Sequence, residues 1–224
     1  MSGFQTHALV GGVGGLGLVT FLERTHAALL PQIGGDSAAL LGIPGGVSGA
    51  AVIVASAFLA LVPDIDEPHS FVAQRVREVL LLVGLALGIA LGILAHGPLW
   101  LPLAAGAVGG AAGLLSGTWL LRGIRAAAGG HRRFTHSLVL AGGLALLAGG
   151  LGRTGAGLVW LVPAAFAWGI VLHDLADLVT PSGLPLLFPF SNISIRVLPA
   201  PLCRYGESLM VVAALAVGWL LLRG

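Results

Sequence analysis

His173 and Asp177 stand four residues apart in a long apolar run, so on a helix they share one face. A His-x3-Asp pair is a two-donor metal arm for the same reason that two histidines at i and i+4 serve zinc. Asp64 and Asp66 flank a single residue just after Pro63. In an extended turn both carboxylates point the same way, and both reach one metal or one bridges two. His131 and His136 bracket the start of another apolar run, and His7 opens the first. Imidazole and carboxylate without thiolate suit zinc, manganese or iron, including a two-metal hydrolytic site. Such a site brings the pKa of bound water toward about 7 and supplies hydroxide at neutral pH. Arg132, beside His131, suits bidentate contact with a phosphate.

Each group alone also has a plainer reading. Asp64 and Asp66 suit a solvated helix end, and His173 with Asp177 suits a buried pair between helices. His131 and His136 suit an interfacial basic loop, and His7 suits a structural histidine near a terminus. Asp174 lies about 100° around the helix from His173, the place of an outer carboxylate or an Arg partner. His26 and His96 are expected in ordinary loops, and nothing supports His69 as a ligand.

The elements that must position these groups are membrane helices. A spanning helix needs about 20 mostly apolar residues. Seven stretches qualify or nearly so: 6–22, 38–61, 79–95, 99–121, 137–152, 156–178 and 208–222. The first and fifth are short and Gly-rich, and six spans is the alternative. Gly11, Gly15, Gly110, Gly113 and Gly117 put small residues on helix faces, where they let helix backbones approach in lipid. The glycines at 11–15 are no dinucleotide fingerprint, because no strand precedes them. Between spans, 63–78 holds an interfacial helix that Ser70 is placed to cap, 122–135 is basic, and 180–207 is long and Pro-rich. With no repeat and no linker, residues 1–224 read as one transmembrane helical domain.

Threading seven spans places His7, the Asp64/Asp66 pair, the His131/His136 pair and the His173/Asp177 pair on one membrane face, although nothing in the span assignment required it. Ionisable groups near a bilayer are costly and default to functional suspects. The same side holds Arg75, Arg77, Arg122, Arg125, Arg132, Arg133, Arg196 and Arg204, against Arg24, Arg153 and Arg223 opposite. That bias makes the face with the clusters cytoplasmic.

Composition agrees with a bilayer setting. Charged residues make up 9% and apolar residues 57%, where soluble domains carry about 25% charged residues. The net charge of +2, on dispersed arginines, excludes a nucleic-acid surface. Cys203 is the sole cysteine, which excludes an internal disulfide and a thiolate cluster. No cleavable leader is expected, since the first apolar run lacks a basic n-region.

Four blocks in order carry a family resemblance. They are Thr6-His7; Leu-Val-Pro-Asp-Ile-Asp at 61–66 with Ser70 behind it; His131-Arg-Arg-Phe-Thr-His136-Ser137; and 169–183, containing His173-Asp174-Leu-Ala-Asp177 and Thr180, running on to Phe190. The chain resembles the YdjM-like family of inner-membrane proteins, described as membrane-bound metal-dependent hydrolases. Arg133 departs from a position where members often carry Gly. Glu207 resembles a late acidic position of the family. The order of ligands is also similar to that of the all-helical zinc-dependent phospholipases C, a fold-level analogy that favours phosphoester hydrolysis.

These readings combine into one expectation. An all-α, polytopic transmembrane bundle of about seven spans carries a polar site at one membrane face. His7, Asp64, Asp66, His131, His136, His173 and Asp177 hold one or two divalent ions, zinc first and manganese second. Asp66, Arg132 and Thr180 act in catalysis, with Arg132 stabilising developing charge. Ser70, Ser137, Asp174 and Glu207 support the site or the substrate. The expected substrate is a phosphoester or ester of a membrane lipid, because the site lies at the interface of a chain without a soluble domain. The expected location is a bacterial-type inner membrane, with no nucleic-acid partner. The alternatives are a divalent-cation transporter or channel, and a non-catalytic scaffold with a structural metal. Against transport stand the placement of the clusters at one face rather than the midplane and the absence of an inverted repeat.

Overall fold

The computed structural model describes residues 3–33, 45–154 and 157–223, with side chains additionally left aside at 22–33, 45–49, 157–158 and 161. Among the described residues the chain is mainly helical, with no strand beyond a single isolated bridge. Seven α-helices follow in order: α1 (Phe4–Ile33), α2 (Gly45–Leu59), α3 (Phe71–Leu94), α4 (Trp100–Ala127), α5 (Leu138–Arg153), α6 (Leu161–Asp177) and α7 (Gly206–Arg223). Short 3-10 turns cover Val62–Asp66, Phe134–His136, Gly157–Trp160 and Ala200–Tyr205.

The seven expected apolar stretches correspond to these seven helices, with shifted ends. Helix α1 runs well past residue 22, so His26 lies in a helix rather than the expected loop. Polarity alone does not end a helix, and Leu22-Glu23-Arg24 followed by Ala27 and Ala28 are mostly good helix formers. Residues 38–44 of the second expected stretch lie outside the described residues. Ser70 caps as expected, its hydroxyl accepting from the Ala73 amide at 3.1 Å. The helix it starts is no separate interfacial element, however, and continues unbroken to Leu94 as α3. No Gly or Pro interrupts 71–83 to stop it. His96 sits exposed just beyond α3, in a turn as expected.

Three segments among the described residues are long and apolar enough to cross a membrane: Phe71–Leu94, Trp100–Ala127 and Ala200–Arg223. Their outer surfaces carry Leu82, Leu87, Leu91, Leu103, Val108, Leu115, Trp119, Leu215 and Leu220, all exposed. Water would not tolerate so much apolar surface along a helix, whereas lipid solvates it.

Backbone contacts group the residues into two compact units. One unit comprises Met1–Pro63 and His136–Gly224. In it α1 packs on α2, α6 and α7, and α5 packs on α6. Val10, Ala176 and Ala214 form its buried apolar centre, flanked by Leu9, Val13 and Met210. The glycines of α1 permit the α1–α2 approach: a Cβ at Gly11 would lie 2.6 Å from the Ser56 carbonyl oxygen, and one at Gly15 would lie 2.8 Å from Ile53 Cα. Both distances are too short for any side chain, which bears out their sequence role as packing residues.

The other unit, Asp64–Thr135, is the hairpin of α3 and α4 with its flanking turns. Gly84 and Gly109 face each other there, each lying against the other's carbonyl. The hairpin ends in a tight turn with positive φ at Gly129, Gly130 and Arg132. For Arg132, at φ 59°, that is a conformation L-residues rarely adopt.

Candidate metal centre

Three imidazoles and one carboxylate converge inside the first unit. His7 comes from the second turn of α1, His136 from the turn before α5, and His173 and Asp177 from the last turns of α6. Each is 0–1% exposed, a burial that isolated ionisable groups avoid unless they are paired or bind a metal. His173 and Asp177 share a face because the helix repeats every 3.6 residues, as their spacing predicts.

The polar atoms meet closely. His7 Nε2 lies 3.5 Å from Asp177 Oδ1, and His173 Nε2 lies 3.9 Å from Asp177 Oδ2. The His7 and His173 rings stack at 4.0 Å, and His136 meets His173 edge-on with the two Nε2 atoms 3.0 Å apart. His173 Nδ1 is 2.7 Å from the carbonyl oxygen of Ala60. A carbonyl only accepts, so Nδ1 carries the hydrogen and the neutral ring presents the Nε2 lone pair to the cluster. Orientation of one ring nitrogen by a backbone carbonyl is the usual outer support of a metal-bound histidine.

A divalent metal fits this donor set. Two nitrogens on a tetrahedral zinc with bonds of about 2.0–2.1 Å lie about 3.3 Å apart. The His136–His173 nitrogens stand 3.0 Å apart, and the imidazole nitrogens of His7 and His173 stand 3.5 and 3.9 Å from the Asp177 oxygens, near that value. His7, His173 and Asp177 by themselves offer ligand atoms all within 4.8 Å of one another.

Neighbouring residues hold the frame. Thr180 is buried and donates to the Asp177 carbonyl at 2.7 Å, which secures the end of α6. Ser137 caps α5 by accepting from the Val139 amide at 3.1 Å, and its hydroxyl donates to the carbonyls of Leu186 and Phe188. The long 178–205 link is thereby tied to the start of α5 directly after His136. Leu184 and Ile195 pair across that link in an isolated antiparallel bridge. Glu207 accepts from the Gly3 amide and the Thr6 hydroxyl, each at 2.8 Å, and so joins the first turns of α1 and α7. Asp174 is 2% exposed, and neither carboxylate oxygen has a hydrogen-bond partner among the described residues. Such a carboxylate calls for water, a proton or a cation.

The second unit gathers its own polar group. Asp66, 1% exposed, accepts from His131 Nδ1 at 2.8 Å and from the Thr135 hydroxyl at 2.7 Å. His131 Nε2 lies 3.8 Å from Glu67, which also faces Arg125 at 3.9 Å. Burial by itself lowers the pKa of the His131 imidazole. The Asp66 hydrogen bond and the charges of Asp66, Asp64 and Glu67 outweigh it and raise the pKa above the ordinary 6.5. Asp64 is half-buried on the 3-10 turn, and Ser70 is taken up in capping α3. Arg132 is half-buried in the strained turn, and Arg133 is exposed.

Sequence reasoning did not anticipate three contributors. The Ala60 carbonyl carries no side-chain signal. Thr135 could have been suspected from its place beside His136, and Glu67 from its place beside Asp66.

A membrane-type helical protein with a buried His and Asp cluster defines a broad class. Within it, the family described as YdjM inner membrane protein matches residues 1–223, and the chain belongs to that family. It is 34% identical over 142 residues to the inner membrane protein YdjM of Escherichia coli, and equally to that of Shigella flexneri. The match covers 61% of this chain and 49% of each relative, so it spans about half the length of these curated proteins. No solved structure matches the chain.

Proposed function

We propose that the protein is a membrane-embedded metal-dependent hydrolase whose metal lies among His7, His136, His173 and Asp177. One observation carries the proposal: three imidazoles and a carboxylate converge in a buried site, with the ligating nitrogen of His173 selected by the Ala60 carbonyl. A divalent ion held there supplies Lewis acidity and a water acidified toward neutral pH. The protein's own groups supply the rest. Buried imidazoles keep bulk water out, the Asp177 carboxylate offers two oxygens to the cluster, and Asp174 is placed on the adjoining turn to accept a proton or a water hydrogen bond. Asp64, Asp66, His131 and Arg132 lie in the other unit and join the proposal through the sequence reading.

A phosphoester or ester of a membrane lipid suits a site at the ends of apolar helices. The arginine bias of the sequence supports a cytoplasmic orientation for that site. Zinc is the first choice of ion and manganese the second.

A structural metal is the second reading, and one observation favours it. His136 stands 3.0 Å from His173, and were it to join His7, His173 and Asp177 the four donors would close a tetrahedron, as structural zinc sites do, whereas catalytic sites leave a position open. Cobalt substitution separates the two. A spectrum that changes when a small anion is added shows an open position, and an indifferent tetrahedral spectrum shows a closed one.

The first experiment is elemental analysis of the detergent-purified protein beside His7→Ala and His173→Ala. The expected result is about one equivalent of a transition metal, lost in both variants. A wild type that stays metal-free after zinc or manganese is added would overturn the proposal. A loaded wild type is then assayed on phosphoester and ester lipids. No turnover on either class would leave the structural-metal reading standing.

A further inference from the structure

An apolar cavity of the first unit begins close to the polar cluster. It is a groove of about 640 Å³ between α1, α6 and α7, within the usual range of a small-molecule site. Its walls are almost wholly apolar, from Val10 to Phe21 on α1, Trp168 to Leu175 on α6, and Met210 to Leu221 on α7. Val10 follows His7 by three residues, about 4.5 Å along the helix. Leu172 precedes His173 directly, so two walls of the groove neighbour, along their helices, two residues of the candidate metal centre.

From Val10 to Phe21 the groove follows α1 for about 16 Å, and it follows α7 for the same distance. One leaflet of the bilayer core is half of about 30 Å. The groove therefore begins within a helical turn of the polar cluster and extends for the depth of one leaflet. Gly17 helps to open it, since a Cβ there would meet only Leu221 at 3.6 Å, whereas Leu172 packs against Gly14 and fills the space a side chain there would need.

We infer that this groove receives one acyl chain of a membrane glycerolipid and thereby positions the lipid's ester or phosphoester at His7, His173 and Asp177. The inference rests on the hydrolase reading for what happens at the cluster, but lipid occupancy is measurable without turnover. The length match and the closeness to the cluster select an acyl chain over a partner helix. A helix is about 10 Å across, too wide to occupy a groove of this volume along its whole length.

The test uses the full chain reconstituted in vesicles of phosphatidylethanolamine and phosphatidylglycerol, then extracted and examined by native mass spectrometry. Gly17→Leu and Ala213→Phe fill the groove. Neither collides with backbone, because Gly17 has only Leu221 within reach and Ala213 is exposed. The expected result is a single glycerolipid retained per wild-type chain, reduced about tenfold in both variants, with metal content and thermal midpoint unchanged. No retained lipid in the wild type, or equal retention in the variants, overturns the inference. Loss of metal from the wild type would instead count against the hydrolase reading, and the lipid measurement would still decide the groove.

Discussion

His173 Nδ1 donates to the carbonyl oxygen of Ala60 at 2.7 Å, and this one bond decides which nitrogen of a buried imidazole faces His7, His136 and Asp177. A ring free to rotate would offer either tautomer. Held by α2's C-terminal end, it offers Nε2 alone.

Removing one ligand should therefore lower affinity sharply without emptying the site of donors. His136→Ala leaves His7, His173 and Asp177 together. Its metal affinity is expected to fall by at least about tenfold, the lower end of what even outer-shell changes cost. Competition with a chromophoric zinc chelator measures it. Unchanged affinity would place His136 outside the coordination sphere.

Metal binding should stabilise the fold, because the donors come from three distant segments, around His7, His136 and His173–Asp177, and meet only when folded. An ion at one hundred times its dissociation constant adds about 2.7 kcal/mol. Thermal unfolding in detergent should rise with added zinc and fall with a chelator in the wild type, and stay constant in His173→Ala. A zinc shift that survives in His173→Ala would show that the ion binds elsewhere.

The Asp66–His131 pair predicts a pH dependence of defined sign. The folded His131 pKa lies above the unfolded value of 6.5. The stability it contributes is complete below about 6.5 and is lost as pH rises through the raised folded pKa. Stability measured from pH 6 to pH 9 should decline more steeply in the wild type than in His131→Gln. The His131 ring resonance should titrate above 6.5, and a midpoint at or below that value would show that burial has prevailed over the Asp66 bond.

Ser137 has two tasks, accepting from the Val139 amide and donating toward the Leu186 and Phe188 carbonyls. Ser137→Ala removes both and is expected to cost about 1–2 kcal/mol. Ser137→Thr should restore most of it. Proteolysis of the 178–205 link should accelerate in the alanine variant alone, and equal rates in the two variants would show that the hydroxyl does not tether the link.

Much of this protein was legible because lipid imposes simple demands. A helix in a bilayer must satisfy its own backbone, so long apolar runs become helices and seven were foreseen. The i, i+4 spacing of His173 and Asp177 needs only helical periodicity to become a shared face. The rarity of ionisable residues made His7 and His136 suspects before any contact was known. Helix ends were less legible, as α1 and α3 show, because residues such as Leu22–Arg24 and 71–78 are sound helix formers whether or not they lie in lipid.

The sequence by itself determined the helical membrane class, the candidate donor types and the intrahelical half of the candidate metal centre, because each follows from local periodicity and the cost of polar groups in lipid. Only the tertiary structure decided that His7 and His136 join His173 while Asp66 bonds His131 and Thr135. It also decided that Glu207 secures the first turn of α1. Those pairings join residues 37 to 204 positions apart, and helix packing, which no local pattern encodes, brings them together.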